Sequence, residues 1–508
     1  MTEPLAIVGP PGTGKTHYLM EIVEDRIRNL DYDPSKIGFF SFTRKAAEEA
    51  RDRAARNLGL DVKQMHHFRT LHSLAFRQLG LSTKDVINAS DFKTLEKALG
   101  VEFQSTMSMK LEDGEFFRIG RDGDFYLTAY NLSRVKGTDP MREFGRVQEQ
   151  NHRLSLGQYR LVINAYNTYR QKNKRIDFVD MIEMFVDQQL SPQFDLLIVD
   201  EAQDLVPLQW KMIDAMAECA KEVVYAGDDD QCIYEWTGVN PTDYITRCSE
   251  PEVLDISYRV PRSVHEVSGR LIKRVSKRVP KVWEPMDREG SVSYHWDINA
   301  IDMTEGNWMV LCRTNNIANN IGNQLKNNGY LFYRQGSGFS ASAKVIESIK
   351  IWTRLSRGEF ITQADLKRMW QLIDMDKKQR RVGNKLVKTW EPEQMVSIDV
   401  LTDIMPEDNW KEPWFKALKI NEGEQLYLRS VLRSGDKFDE KNPRIRLSTI
   451  HKVKGGECDN VIVLLDSSRG CQTFGQEDAE IRTFYVGLTR AKENLHIIES
   501  NDRWAFKL

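Results

Sequence analysis

The sequence predicts an α/β chain with two parallel-sheet cores in tandem, each interrupted by a mostly helical insertion. Three observations carry this. Short apolar runs at residues 5–8 (LAIV), 196–199 (LLIV) and 223–227 (VVYAG) lead straight into glycine or paired acids, as strands do when their C-terminal ends open on a site. A second series lies beyond residue 255, at 309–312 (MVLC), 461–465 (VIVLL) and 495–498. Two long polar stretches, of helix and loop character, interrupt these series.

The elements follow in order. The first strand runs into residues 9–16, GPPGTGKT, which match G-x-x-x-x-G-K-[ST] at every fixed position. Residues 17–27 then carry Leu19, Ile22, Val23 and Ile27 at helical spacing. In such a loop (Gly9, Pro10, Pro11, Gly12, Thr13, Gly14), Gly12 and Gly14 let backbone N–H groups form an anion nest at a helix N-terminus. Lys15 would reach the outer phosphates, the Thr16 hydroxyl would ligate Mg²⁺, and His17 follows. Strand, glycine-rich turn and helix together imply a bound nucleoside triphosphate.

Residues 37–42 (IGFFSF) read as a second strand, after which Thr43 caps a helix over 44–58. Residues 68–79 read as a turn and a helix. From 81 to 173 polar helices alternate with a charged, glycine-bearing segment around 112–123, the pattern of an inserted subdomain. The core returns at 194–204, FDLLIVDEAQD. There Asp200 would hold the Mg²⁺ shell, and Glu201 would orient or deprotonate an attacking water. That pair points to hydrolysis rather than transfer to a bound acceptor. Residues 356–444 interrupt the second core. No repeats or low-complexity tracts are visible.

At 508 residues the chain is too long for one core. Its net charge of -2 gives no global sign of a nucleic-acid partner, so any such surface has to be a local groove. Six cysteines without a CxxC pair favour reduced thiols over a disulfide or zinc framework. No apolar run reaches membrane-spanning length and no secretory signal is present, so a soluble, cytoplasmic protein is expected.

Further motifs give a specific resemblance. In order they are residues 40–53 (FSFTRKAAEEARDR), 70–75 (TLHSLA), 177–182 (DFVDMI), 200–204 (DEAQD), 227–238 (GDDDQCIYEWTG), 257–259 (SYR), 449–457 (TIHKVKGGE) and 485–493 (YVGLTRAKE). Together with the phosphate loop they resemble superfamily 1 helicases of the UvrD/Rep/PcrA type, along nearly the whole chain. The resemblance implies two tandem RecA-like P-loop NTPase cores. The first core is 1–75 with 176–255, carrying the insertion 76–175. The second is 256–355 with 445–508, carrying the insertion 356–444.

The same resemblance implies residue roles. Gln231 would sense the γ-phosphate and its water. Arg259 and Arg490, from the second core, would be paired arginine fingers, and Tyr258 would stack on the base. Phe42 and Trp236 would face single-stranded bases, with Tyr234 close by. Thr43, Thr70, His72, His451 and Glu457 complete the implied DNA contacts. Taken alone, Phe42 also reads as core, and the lesser alternative for Arg490 is a surface cation on an amphipathic helix. Two basic stretches, 377–388 and 270–281, read equally as phosphate contacts or as solvated charge.

The implied activity is ATP-driven, Mg²⁺-dependent 3′→5′ movement on single-stranded DNA with unwinding of forked duplex, in repair, replication or recombination. Replication or repair proteins would be its partners. Three alternatives stay open: a translocase that strips proteins with little unwinding, an RNA-directed helicase, and a P-loop switch or kinase without nucleic acid. Relative to the family, the glutamine-bearing adenine-reading motif is expected to be missing upstream of the first strand, His17 stands where arginine is usual, and no partner tail is expected after the last strand.

Overall fold

A computed structural model describes residues 3–103, 121–439, 441–472 and 477–508. The charged segment expected around 112–123 therefore lies outside the described residues up to position 120. The chain divides into two compact units, Met1–Gly290 with Arg469–Thr489, and Ser291–Ser468 with Arg490–Leu508.

The first unit is built on six strands: β1 (Leu5–Val8), β2 (Ile37–Phe40), β3 (Phe68–Arg69), β4 (Phe194–Val199), β5 (Ala220–Gly227) and β6 (Glu252–Val253). They lie in the order β3-β2-β4-β5-β1-β6, and every pairing is parallel. β4 is buried along its whole length, which is why it reads as an unbroken apolar run rather than an alternation. Ile7, Leu19, Val23, Phe39, Leu196, Ile198 and Val224 belong to its core. β2 stops two residues short of the expected end. Its ladder with β4 closes at Phe40↔Val199, and Thr43 is already extended to cap the helix Arg44–Leu58, its hydroxyl accepting from the Ala46 N–H at 3.2 Å. Phe42 thus leaves the sheet between a strand and a cap.

The helices Ala89–Leu99, Asp122–Lys136, Pro140–Gln150 and Leu156–Asn173 share a separate aromatic core that includes Phe92, Tyr126, Phe144, Tyr159 and Tyr166. An ionic knot ties them to the helix Phe178–Asp187. Arg134 meets Asp177 at 2.9 Å and Asp180 at 2.6 Å, Arg170 meets Asp177 at 3.0 Å, and the Tyr166 hydroxyl donates to Asp177 at 3.1 Å. Asp177 also caps that helix, so a single carboxylate begins one element and anchors another.

The second unit contains β7 (Ser291–His295), β8 (Trp308–Cys312), β9 (Tyr333–Arg334), β10 (Gly338–Phe339), β11 (Ile361–Thr362), β12 (Met395–Val396), β13 (Ile445–Thr449), β14 (Cys458–Leu464) and β15 (Ala491–Ile498). Seven of them form one sheet in the order β10-β9-β13-β8-β14-β15-β7, parallel except at β9–β10. β14 and β15 begin earlier than the apolar runs suggested, because their first turns of ladder use polar residues such as Asn460 and Asn494. Beside the sheet a second apolar cluster gathers Trp352, Leu366, Trp370, Trp410 and Leu428. Among the described residues no helix is long and apolar enough to cross a membrane.

Candidate functional site

The phosphate loop is set where β1 ends, and the ends of β4 and β5 bring two acidic segments beside it. Gly9 N–H donates to the Gly227 carbonyl at 2.9 Å, tying the loop to the end of β5. Gly12 and Gly14 take φ of 78° and 75°, a backbone that side chains disfavour. Thr13 is folded inward, its hydroxyl donating to the Pro10 carbonyl at 2.9 Å. Helix Lys15–Asn29 starts directly after Gly14, with Thr16 and His17 exposed in its first turn.

Lys15 Nζ lies 2.8 Å from Glu201 Oε1 and 3.5 Å from Asp200 Oδ1. Burial alone would lower the pKa of this ammonium, but the Glu201 and Asp200 carboxylates more than reverse that and hold it charged. Asp200 is 4% exposed, and burial pushes its carboxyl up to about 6 against the opposing pull of Lys15. Glu201 adopts φ 54°, left-handed backbone in a residue other than glycine, and its side chain remains a third open to solvent. An ammonium, a deep carboxylate and a more accessible one thus converge at one loop.

A residue of the DEAQD motif that the sequence reading left without a role holds these groups in place. Gln203 Nε2 donates to Glu201 Oε2 at 2.6 Å, and its Oε1 accepts the Asp228 N–H at 3.0 Å. A Cβ at position 227 would fall on that same Gln203 oxygen, so a larger residue at the end of β5 would push the amide off its partners. Gln231 follows in a short turn, its Nε2 donating to Asp228 Oδ2 at 2.8 Å. The signal was present in the sequence: a glutamine buried inside an acidic strand-end motif needs partners for both ends of its amide.

Ser257, Tyr258 and Arg259 sit on the phosphate loop in the first compact unit, whereas the sequence reading drew Arg259 from the second core. The physical reason is direct hydrogen bonding. Ser257 Oγ donates to the Pro11 carbonyl at 2.7 Å and Tyr258 N–H to the Gly12 carbonyl at 2.8 Å. A Cβ at Gly12 would run into the Arg259 Cβ. Tyr258 is 72% exposed, with its ring beside Gly14.

Arg490 lies in the second unit, between the helix Glu477–Leu488 and β15. It is not the exposed helix cation that its spacing allows: it is 1% exposed, and its Nη1 donates to the Gly456 carbonyl at 3.2 Å. That bond joins the YVGLTRAKE segment to TIHKVKGGE. His451 is half-buried in the 3₁₀ turn Ile450–Val453, and Glu457 is exposed 4.0 Å from Lys492.

The residues of the first unit implied to contact DNA take four different environments. Trp236 is 40% exposed on a short turn closed by Gly238. Phe42 is half-buried with one face stacked on Tyr234, ring centroids 5.5 Å apart, and Tyr234 is itself buried. Thr43 and Thr70 spend their hydroxyls as helix caps, Thr70 accepting from Ser73 N–H at 3.3 Å. His72 is buried edge-on to Phe178, and burial pulls its imidazole down to about 4. A small cavity is lined by Phe42, Thr70 and His72 together with Asp200 and Leu205.

The basic stretch 270–281 resolves in part as internal structure. Arg278 and Lys281, read as open to phosphate contact, are counter-ions of Asp228, Asp229 and Asp230. Three adjacent buried carboxylates demand positive charge nearby, and no periodicity in the sequence says which cation supplies it. In the stretch 377–388, Arg380 is likewise internal, donating to the Trp370 and Ile373 carbonyls at 2.6 Å, while Lys377, Lys378, Arg381, Lys385 and Lys388 are exposed.

A parallel sheet whose first strand enters a phosphate loop, with an acid pair at the next strand end but one, defines a P-loop nucleoside triphosphatase. Comparison with known proteins narrows this. The UvrD/REP helicase N-terminal domain matches residues 1–250, and the UvrD-like helicase C-terminal domain matches residues 424–502. The chain belongs to the UvrD/Rep helicase family. It is 25% identical over 307 residues to the ATP-dependent DNA helicase PcrA of Leuconostoc citreum, covering 58% of this chain and 40% of that protein. It is 23% identical over 582 residues to a Mycoplasma pneumoniae protein named "Probable DNA helicase II homolog", covering 96% of this chain and 80% of that one. The PcrA of Staphylococcus aureus is 23% identical over 325 residues, and the match covers 42% of its length. The chain thus spans less than half of the PcrA relatives it matches.

Proposed function

We propose that the chain is an ATP-dependent DNA helicase that moves 3′→5′ on single-stranded DNA and unwinds forked duplex, with hydrolysis at the Lys15–Asp200–Glu201 site. The observation that carries the hydrolytic part is the ion triad itself. Lys15 is held charged by two carboxylates at 2.8 and 3.5 Å, so a triphosphate entering the loop can take over the ammonium and release the acids for a metal and a water. Thr16 and Asp200 offer the hard oxygen donors that suit Mg²⁺, which when bound would neutralise charge on the phosphoryl oxygens. Glu201, the more accessible acid, would take the proton of the attacking water, Gln231 would sense the γ-phosphate, and Arg259 and Arg490 would stabilise the charge of the transition state.

DNA is the substrate in the names of the relatives, and the exposed Trp236 supports a sequence-tolerant stacking contact. In this reading the chain has two cores and two insertions, with Ser257 to Arg259 beside the phosphate loop, and the protein works in the cytoplasm with replication or repair proteins. The test is NTP turnover across four nucleotides with and without single-stranded DNA, single-stranded RNA and duplex, beside unwinding of forks with a 3′ or a 5′ tail. Stimulation by single-stranded DNA and unwinding of the 3′-tailed fork are expected. Trp236→Ala should keep basal turnover and lose unwinding, because stacking is worth about 1–3 kcal/mol per base. Turnover indifferent to nucleic acid would overturn the helicase reading, and unwinding of the 5′-tailed fork alone would overturn the polarity.

A further inference from the structure

Lys281 is fully buried just over fifty residues after an unbroken run of three acids, and its Nζ reaches all of them. It lies 2.8 Å from Asp228 Oδ1 and 3.0 Å from Asp230 Oδ2, and it also pairs with Asp229. Arg278 pairs with Asp230 from the same side, its Nε donating at 2.9 Å, and Val279 N–H donates to Asp229 Oδ2 at 2.9 Å. The acids are thus bound by backbone and side chains of one short segment, 278–281.

Two further sets of contacts give that segment a direction. At one end it meets the glutamine expected to sense the γ-phosphate. The Asp228 carboxylate accepts Lys281 on Oδ1 and the Gln231 amide on Oδ2, at 2.8 Å in each case. A carboxylate only accepts, so this pairing turns the amine end of the Gln231 amide toward Asp228. Beyond its other end the chain runs on to Glu284, which meets the motif that presents Tyr258 and Arg259. Glu284 N–H donates to the Asp255 carbonyl at 2.6 Å, and Ser257 N–H donates to the Glu284 carbonyl at 2.9 Å. Ser257 in turn donates to the phosphate loop at Pro11. Arg482 braces the same segment, donating to the Lys277 carbonyl at 2.8 Å and pairing with Glu235, the neighbour of Trp236, at 3.0 Å.

We propose that Lys281 is a positioning residue for nucleotide hydrolysis: it fixes Asp228, and through it the Gln231 amide, while the chain that runs on from it to Glu284 pairs with Ser257 beside the phosphate loop. This rests on the reading of Gln231 and Arg259 as γ-phosphate residues. Lys281 touches no substrate. Its role is to keep the sensor and the arginine in one register, so that a shift of either is felt by the other.

The experiment is a cycle of variants on the whole chain, read by nucleotide turnover, affinity for a non-hydrolysable ATP analogue and thermal melting. Lys281→Met strands three carboxylates and can unfold the unit, so Asp229→Asn/Lys281→Met is made beside it to reduce the stranded charge. The charge-balanced variant should melt near wild type and bind the analogue within about threefold, yet lose about ten- to a hundredfold in kcat, the range of a misplaced catalytic group. Adding Gln231→Ala to it should cost clearly less than the product of the two separate losses, because both changes act in part through one device. Lys281 is merely structural if turnover returns with the melting temperature, or if the two losses multiply. A wild-type chain without turnover, or a Lys15→Ala chain that matches wild type, would instead defeat the underlying reading of the site, a result distinguishable from failure of the cycle.

Discussion

Two lysines of the first unit, Lys15 and Lys281, are each surrounded by carboxylates, and they are built for opposite ends. Lys15 meets two acids at a site where its side chain is 10% exposed and Glu201 34%. Lys281 meets three acids, and neither it nor any of them is exposed. In both, burial alone would lower the ammonium pKa and the carboxylates raise it above the usual lysine range. The difference is access. At Lys15 a phosphate can replace the carboxylates, so the ion triad is an exchangeable arrangement. At Lys281 none of the four side chains is exposed among the described residues, and the charges serve to lock backbone segments together. Breaking a buried pair by removing one partner costs about 3–5 kcal/mol, far more than breaking an accessible one, so the two lysines should answer mutation differently.

The largest effect is expected at Lys15. Lys15→Ala should bring turnover to background while the melting temperature falls by only a few degrees, since Glu201 keeps solvent contact and Asp200 can take up a proton. A steady-state ATPase assay beside a thermal melt checks this, and a collapse of the melt would erase the contrast with Lys281. Next comes Arg490, which combines both characters: it is buried like Lys281 and assigned to the nucleotide like Lys15. Arg490→Ala should lower kcat by about a thousandfold or more. It should also lose about 1–3 kcal/mol of stability, because the Gly456 carbonyl loses a donor. Single-turnover kinetics and denaturant melts separate the two effects. A normal kcat would put Arg490 wholly on the structural side.

Glu201→Gln should cost about a hundredfold or more in turnover with analogue and DNA binding retained, because the amide keeps the shape and cannot accept the proton. Loss of binding together with turnover would mean that Glu201 belongs with the locking charges. The smallest effect concerns a buried group that is neutral rather than paired. Burial holds His72 near 4, below its ordinary value of 6.5. The unfolded chain therefore takes up a proton there before the folded chain does. Stability should be full above about 6.5 and decline as pH falls toward about 4. His72→Phe should flatten part of that slope in a series of melts, and an unchanged slope would mean that other groups carry it.

The legibility of the chain followed the range of the interactions involved. The phosphate loop, the strand ends at Val199 and Gly227, the cap at Thr43 and the family membership are written in contiguous residues, because strand periodicity, caps and anion nests are local devices. Even there β2 ended early, since a cap and a strand competed for residues 41–43 and the cap prevailed. The tertiary structure alone decided which charges met. It turned part of a basic stretch into counter-ions for Asp228, Asp229 and Asp230, gave Gln203 both of its partners, stacked Tyr234 on Phe42 and buried Arg490. The physical reason is that sequence pattern reports which residues must leave water, whereas a buried charge is satisfied by whichever opposite charge the fold delivers. For Asp228 that charge arrives from Lys281, on a segment about fifty residues away, and only the folded chain selects it.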